Sequence, residues 1–103
     1  MMEYKKSLFG RTVIESSDYD DVSDDIELEY YETHNIAGEN NRKYGIEVVK
    51  REEKSEKFNI ESKIVNNISN EENQIKSLLK VLMLNKVTPI SVDDVISDIS
   101  VLD

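Results

Sequence analysis

Ile26-Glu27-Leu28-Glu29-Tyr30-Tyr31-Glu32 alternates apolar and acidic residues, and period-two alternation marks a strand with one buried face. Ile26, Leu28 and Tyr30 share one side, with Glu27, Glu29 and Tyr31 on the other. The turn-forming run Ala37-Gly38-Glu39-Asn40-Asn41 follows, rich in residues that tolerate turn conformations. A second extended segment runs from about Lys43 to Arg51, with Tyr44, Ile46 and Val48 facing inward. Glu52 to Ser55 reads as the next turn. A third segment, about Lys57 to Asn66, places Phe58, Ile60 and Ile64 inward. Short connections between successive strands predict antiparallel pairing in a meander.

The period then changes. Ser69 and Glu72 have the spacing of a capping box, which predicts a helix opening at Ser69. Ile75, Leu78, Leu79 and Leu82 recur at helical intervals, and Val81, Met83 and Leu84 widen the apolar arc beyond what a sheet alone would cover. Asn85 ends the helix, and Thr88-Pro89 stops its continuation because a residue before proline avoids the α region. Ser91 caps a second helix, with Asp93 and Asp94 facing its N-terminal dipole and Val92, Val95, Ile96 and Ile99 forming its stripe.

The fold class expected is α+β: a three-stranded antiparallel β-meander, or four-stranded if Arg11 to Glu15 adds an edge strand, followed by two C-terminal helices on one face. The expected core is Leu28, Tyr30, Ile46, Val48, Phe58, Ile60, Ile75, Leu78, Leu79, Leu82, Val95, Ile96 and Ile99. Residues 26–103 read as one α+β domain. Residues 1–25 read as an acidic segment, poorly ordered or contributing an edge strand, because Asp18 to Asp25 holds five aspartates that repel one another.

Composition narrows the function. The chain has 103 residues, with 13 basic and 22 acidic side chains and a net charge of −9. The basic residues are interleaved with acids, as in Lys50-Arg51-Glu52-Glu53-Lys54, which argues against nucleic acid and anionic lipid as partners. With no cysteine, disulfides and thiolate metal sites are excluded. No apolar run follows Lys5-Lys6 as in a signal peptide, and none approaches a membrane span of roughly 20 residues. A cytoplasmic protein without membrane attachment is expected.

Each candidate site has a plainer explanation. Read as a calcium loop from Asp18, the aspartate run places Val22 and Ser23 where a ligand and a glycine belong. His34, the single histidine, has no partner identifiable from spacing and sits at a strand end. Glu27, Glu29, Glu47 and Glu61, with Lys63, are expected to share one solvated sheet face. No phosphate-binding glycine pattern and no catalytic triad is present. No catalytic, cofactor or metal residue is therefore assigned. The residues left over are apolar: Tyr31, Val49 and Val65 with outward parity, and Val81 and Leu84 at the edge of the first helix. These five are the expected interface.

The blocks Leu28-Glu29-Tyr30-Tyr31, Tyr44-Gly45-Ile46-Glu47-Val48-Val49-Lys50, Val65-Asn66-Asn67-Ile68-Ser69, Asn85-Lys86-Val87-Thr88-Pro89-Ile90 and Asp94-Val95-Ile96 resemble a small, uncharacterised domain-of-unknown-function family of spore-forming anaerobic Firmicutes. The resemblance covers about residues 26–99. It implies a bacterial cytoplasmic protein and brings no activity, cofactor or catalytic residue with it.

Together these readings point to a non-enzymatic interaction or regulatory protein, acting on a protein partner or as a homodimer. The alternative is a cation- or small-ligand-binding module using the acidic segment.

Overall fold

The structure, a computed structural model, describes residues 4–15, 26–35, 44–54 and 57–98. It consists of β1 (Tyr4–Ile14), β2 (Ile26–Asn35), β3 (Tyr44–Lys54), β4 (Lys57–Ser69), α1 (Glu72–Leu84), a 3-10 turn (Pro89–Ser91) and α2 (Val92–Asp98). The strands form one antiparallel sheet in the order β1-β2-β3-β4. This is the α+β meander with two C-terminal helices that the change of period predicts. The aspartate run and Ile99 lie outside the described residues.

One sheet face carries the core. Leu28, Tyr30, Ile46 and Val48 are fully buried against Ile75, Leu78, Leu79 and Leu82 of α1, with Val87 and Val92 closing the end. Val95 and Ile96 pack at its margin. The Tyr30 hydroxyl donates a 2.9 Å hydrogen bond to the Val87 carbonyl. It joins the centre of the sheet to the link between the helices. Burial raises the Tyr30 pKa, so the phenol keeps the proton it donates.

The first strand is longer than its β-branched stretch indicates. It starts at Tyr4 and pairs with β2 from Tyr4–Asn35 to Ile14–Ile26, with an irregularity between Leu8 and Gly10. Two residues there oppose one on β2, which switches the parity of β1. Ser7 and Lys5 share the helix-covered face on one side of the bulge, while Gly10, Thr12 and Ile14 share it on the other. That switch erases the alternation by which strands are recognised.

The parity of β4 corrects the expected core. Phe58, Ile60 and Ile64 are 61%, 55% and 47% exposed, whereas Val65 packs against the core. The register gives the reason. The β3–β4 ladder closes at Lys54–Lys57, so two residues connect the strands, and Ile46 pairs with Val65 and Val48 with Lys63. Directly paired residues share a face, so the inward even positions of β3 bring the odd positions of β4 inward.

The β4 end nearest α1 is also irregular. Tyr44 pairs with Ser69 but Ile46 with Val65, and Asn67 takes the left-handed region at φ 58°, which asparagine tolerates better than most residues. A Cβ on Gly45 would lie 2.2 Å from the Val65 carbonyl oxygen and 2.9 Å from Thr33 Oγ1, so only glycine fits where the strands approach.

Ser69 does not cap α1. It is the last, buried residue of β4. Its hydroxyl accepts a 3.0 Å hydrogen bond from the Glu71 amide and donates to Gln74 Oε1. Glu71 occupies the N-cap position without a side-chain cap bond. At the other end Asn85 is the C-cap, the Lys86 amide donates to the Met83 carbonyl and the Val87 amide to the Leu82 carbonyl. Those two bonds, with Lys86 at φ 50°, make a Schellman turn that aims Val87 back at Leu82. The 3-10 turn follows at Pro89, and its last residue Ser91 leads directly into α2.

Candidate functional site

The helices lie on the face of Leu28 and Val48, leaving the opposite face of the sheet uncovered by them. The register lays out that face in cross-strand rows: Leu8, Tyr31, Glu47, Ile64; then Arg11, Glu29, Val49, Ser62; then Val13, Glu27, Arg51, Ile60; then Glu53 and Phe58. Over β1 to β3 the rows are tied by charge. Lys6 meets Glu47 at 3.2 Å, Arg11 meets Glu27 at 2.9 Å and Arg51 meets Glu29 at 3.2 Å. The Tyr31 hydroxyl donates to Glu29 at 2.9 Å, while the Lys6 ammonium sits 4.5 Å from the centre of the Tyr31 ring. Burial, then the neighbouring Glu29, raises the Tyr31 pKa. The hydrogen bond to Glu29 raises that of Arg51. Val49 is only 6% exposed beneath these long side chains.

On β4 the same face carries Phe58, Ile60, Ser62 and Ile64 and no charge. Phe58, Ile60 and Ile64, and at the opposite edge of the sheet Leu8 and Val13 of β1, are large apolar side chains left in water.

The five expected interface residues do not form one surface. Tyr31 and Val49 are on the outer face, inside the ion-paired region. Val65 is on the helix-covered face against the core, a correction that follows from the same register. Val81 and Leu84 belong to α1 and are 40% and 69% exposed. The expected carboxylate face is corrected too. Glu27, Glu29 and Glu47 share the outer face, each paired with a cation. Glu61 and Lys63 point to the helix side, where Glu61 meets Lys50 at 3.5 Å and Lys63 meets Asp93 at 3.1 Å. Sequence reasoning missed the exposure of Phe58, Ile60 and Ile64. The signal that finds it is the length of the connection between β3 and β4.

A second feature lies on the helix side. Ser7, Leu8, Phe9, Glu32, Glu72 and Lys76 line an open cleft of about 420 Å³ between β1, β2 and the first turn of α1. Burial, then its hydrogen bond to Glu72, raises the Glu32 pKa to about 7. The same bond, then Lys76, lowers that of Glu72. Lys76 Nζ is 3.7 Å from Glu72. Below about pH 7 Glu32 therefore keeps a proton that it directs toward its neighbour Glu72, a pairing that two carboxylates at one site adopt. His34 is not in this lining. It stacks on Tyr44 with ring centroids 4.4 Å apart. Among the described residues no group of three or more His, Cys, Asp or Glu side chains is placed to hold a metal ion. No helix among them is long and apolar enough to cross a membrane.

The fold defines a small α+β protein with a four-stranded meander, one face of which the helices cover. The model of a family of unknown function, DUF6514, matches residues 10–101, and the chain belongs to that family. The match takes in β1 from Gly10 onward as well as the helices. None of the curated proteins and none of the solved structures matches the chain.

Proposed function

We propose that the chain is a small, acidic, non-enzymatic interaction or regulatory protein of the bacterial cytoplasm, which binds a protein partner through the uncovered face of its sheet. The observation that supports it is the cluster of Phe58, Ile60 and Ile64 on β4, about half exposed and without a charged neighbour on their own strand and face. Burying such side chains is worth roughly 1.5–3 kcal/mol each, enough to anchor an association when a few are covered together. A net charge of −9 disfavours nucleic acid and anionic membranes as that partner.

The test compares the tagged protein with a Phe58→Glu/Ile64→Glu variant of unchanged circular dichroism, each used for capture from the cells of origin. A protein retained in stoichiometric amount by the first and lost by the second is expected. Identical recoveries, or none from either, would contradict the reading. A cation-binding module using the aspartate run rests on the five closely spaced carboxylates of residues 18–25. Titration calorimetry with calcium, magnesium and manganese tests it, and the absence of heat removes it.

A further inference from the structure

We infer that the free edge of β4 pairs with the β4 of a second copy, antiparallel about a two-fold axis at Ser62, to make one continuous eight-stranded sheet. This deepens the reading of β4 as an interaction surface and rests on it.

The two edges of the sheet differ. β1 carries Lys5, Lys6 and Arg11 and is broken by the irregularity at Leu8 and Gly10, features that discourage strand addition. β4 pairs regularly with β3 from Lys57 to Val65, residues 57–62 are all exposed, and its outer side is apolar. An edge of this kind accepts another strand.

The sequence of β4 selects the register. In antiparallel self-pairing centred on Ser62, Glu61 faces the partner copy's Lys63 and Lys63 faces its Glu61. On the other side Ile60 faces Ile64, twice, by symmetry. Moving the centre by one residue toward the N-terminus sets Glu61 against its own copy. Moving it by one toward the C-terminus sets Lys63 against its own copy. Directly opposed like charges destabilise a ladder and opposed unlike charges stabilise it, so among these three registers only the central one is complementary. The intramolecular partners of the two residues, Lys50 and Asp93, do not block this. Glu61 is 54% and Lys63 41% exposed at the side chain, and exposed ion pairs bind weakly enough to be shared. Among the described residues the surface around the axis is unsealed as well. Ile90 is 84% exposed and lines, with Glu61, Ser62, Lys63 and Pro89, an open cleft of about 350 Å³. The symmetry brings the partner copy's Ile90 toward the same axis.

Sedimentation velocity on the whole chain over a wide concentration range tests the inference. The wild type is expected to dimerise. Glu61→Lys alone sets lysine against lysine, and Lys63→Glu alone sets glutamate against glutamate. Each is expected to weaken self-association about tenfold or more while circular dichroism shows the fold retained. An equimolar mixture of the two variants is expected to restore the dimer, an outcome that no loss of an intramolecular ion pair produces. Ser62→Cys, in a chain without other cysteines, is expected to cross-link to itself under oxidation, because opposed Cα atoms lie about 4.5–5.5 Å apart in such a ladder, within disulfide reach. A strict monomer, or a dimer that survives both charge variants and leaves Ser62→Cys uncross-linked, overturns the inference. Neither result touches the broader reading, which is decided by the capture comparison with Phe58→Glu/Ile64→Glu.

Discussion

Replacing Tyr30 with phenylalanine removes one hydroxyl and leaves the ring. The ring is fully buried, so its packing is retained and the change isolates the hydrogen bond to the Val87 carbonyl. Val87 is 7% exposed, leaving little room for water to replace the lost donor. A buried acceptor left without a partner costs about 1–3 kcal/mol, against about 1 kcal/mol for the net loss of an average bond. The expected cost for Tyr30→Phe is therefore about 1–2 kcal/mol. In urea unfolding this appears as a lower midpoint with an unchanged slope. In a thermal scan it appears as a fall of about 4–8 °C for each kcal/mol in a domain of this size. Because the bond links the sheet to the Schellman turn, amide exchange at Val87 should also accelerate relative to the middle of α1. A loss below about 0.5 kcal/mol with unchanged exchange at Val87 would refute the claim that this bond fastens the helical segment to the sheet.

Other substitutions probe the backbone and the carboxyl pair. Gly45→Ala forces a Cβ against the Val65 carbonyl and should destabilise by about 1–3 kcal/mol, read from the urea midpoint. Lys86→Gly should stabilise by up to about 1 kcal/mol, since φ is 50° there and glycine adopts the left-handed region freely. Glu32 keeps its proton up to about pH 7, so between the ordinary carboxylate value of 4.5 and about 7 the folded state binds more protons than the unfolded. Its stabilising contribution is fully present below that window and declines as pH rises through it. Glu72, held below its ordinary value, contributes in the opposite sense and loses its contribution only as pH falls lower still. Urea midpoints measured across pH should therefore fall between about pH 4.5 and 7 in the wild type, and the fall should vanish in Glu32→Gln. An identical slope in both proteins would contradict the shared-proton arrangement.

How much of this was readable from residues alone depends on where alternation stays regular. Leu28 and Tyr30, and Ile46 and Val48, keep strict period two, so their burial was legible, as was that of Ile75, Leu78, Leu79 and Leu82 at helical spacing. β1 was only partly legible because the irregularity beside Gly10 changes parity in mid-strand. β4 was misread because Phe58, Ile60 and Ile64 of one parity compete with Val65 of the other. Size and hydrophobicity favour the first set, whereas the two-residue connection at Lys54–Lys57 enforces the second. Ser69 matched a capping box by spacing, but the strand ladder to Tyr44 claims its backbone first. The carboxyl cleft was invisible because Glu32 and Glu72 meet only through the docking of α1 on the sheet.

The central claim is that Phe58, Ile60 and Ile64 of β4 face outward, toward a partner, and contribute little to the monomer's own core. Ile60→Thr tests it most directly, since threonine keeps the β-branching that strands favour and deletes only the apolar contact. Urea unfolding at a concentration low enough to hold the protein monomeric is the measurement. The expected change is within about 0.5 kcal/mol, as for an ordinary surface site. A loss of about 2 kcal/mol or more, the cost of placing an unsatisfied hydroxyl in a core, would show that Ile60 faces inward and would overturn the register on which the proposed interaction surface stands.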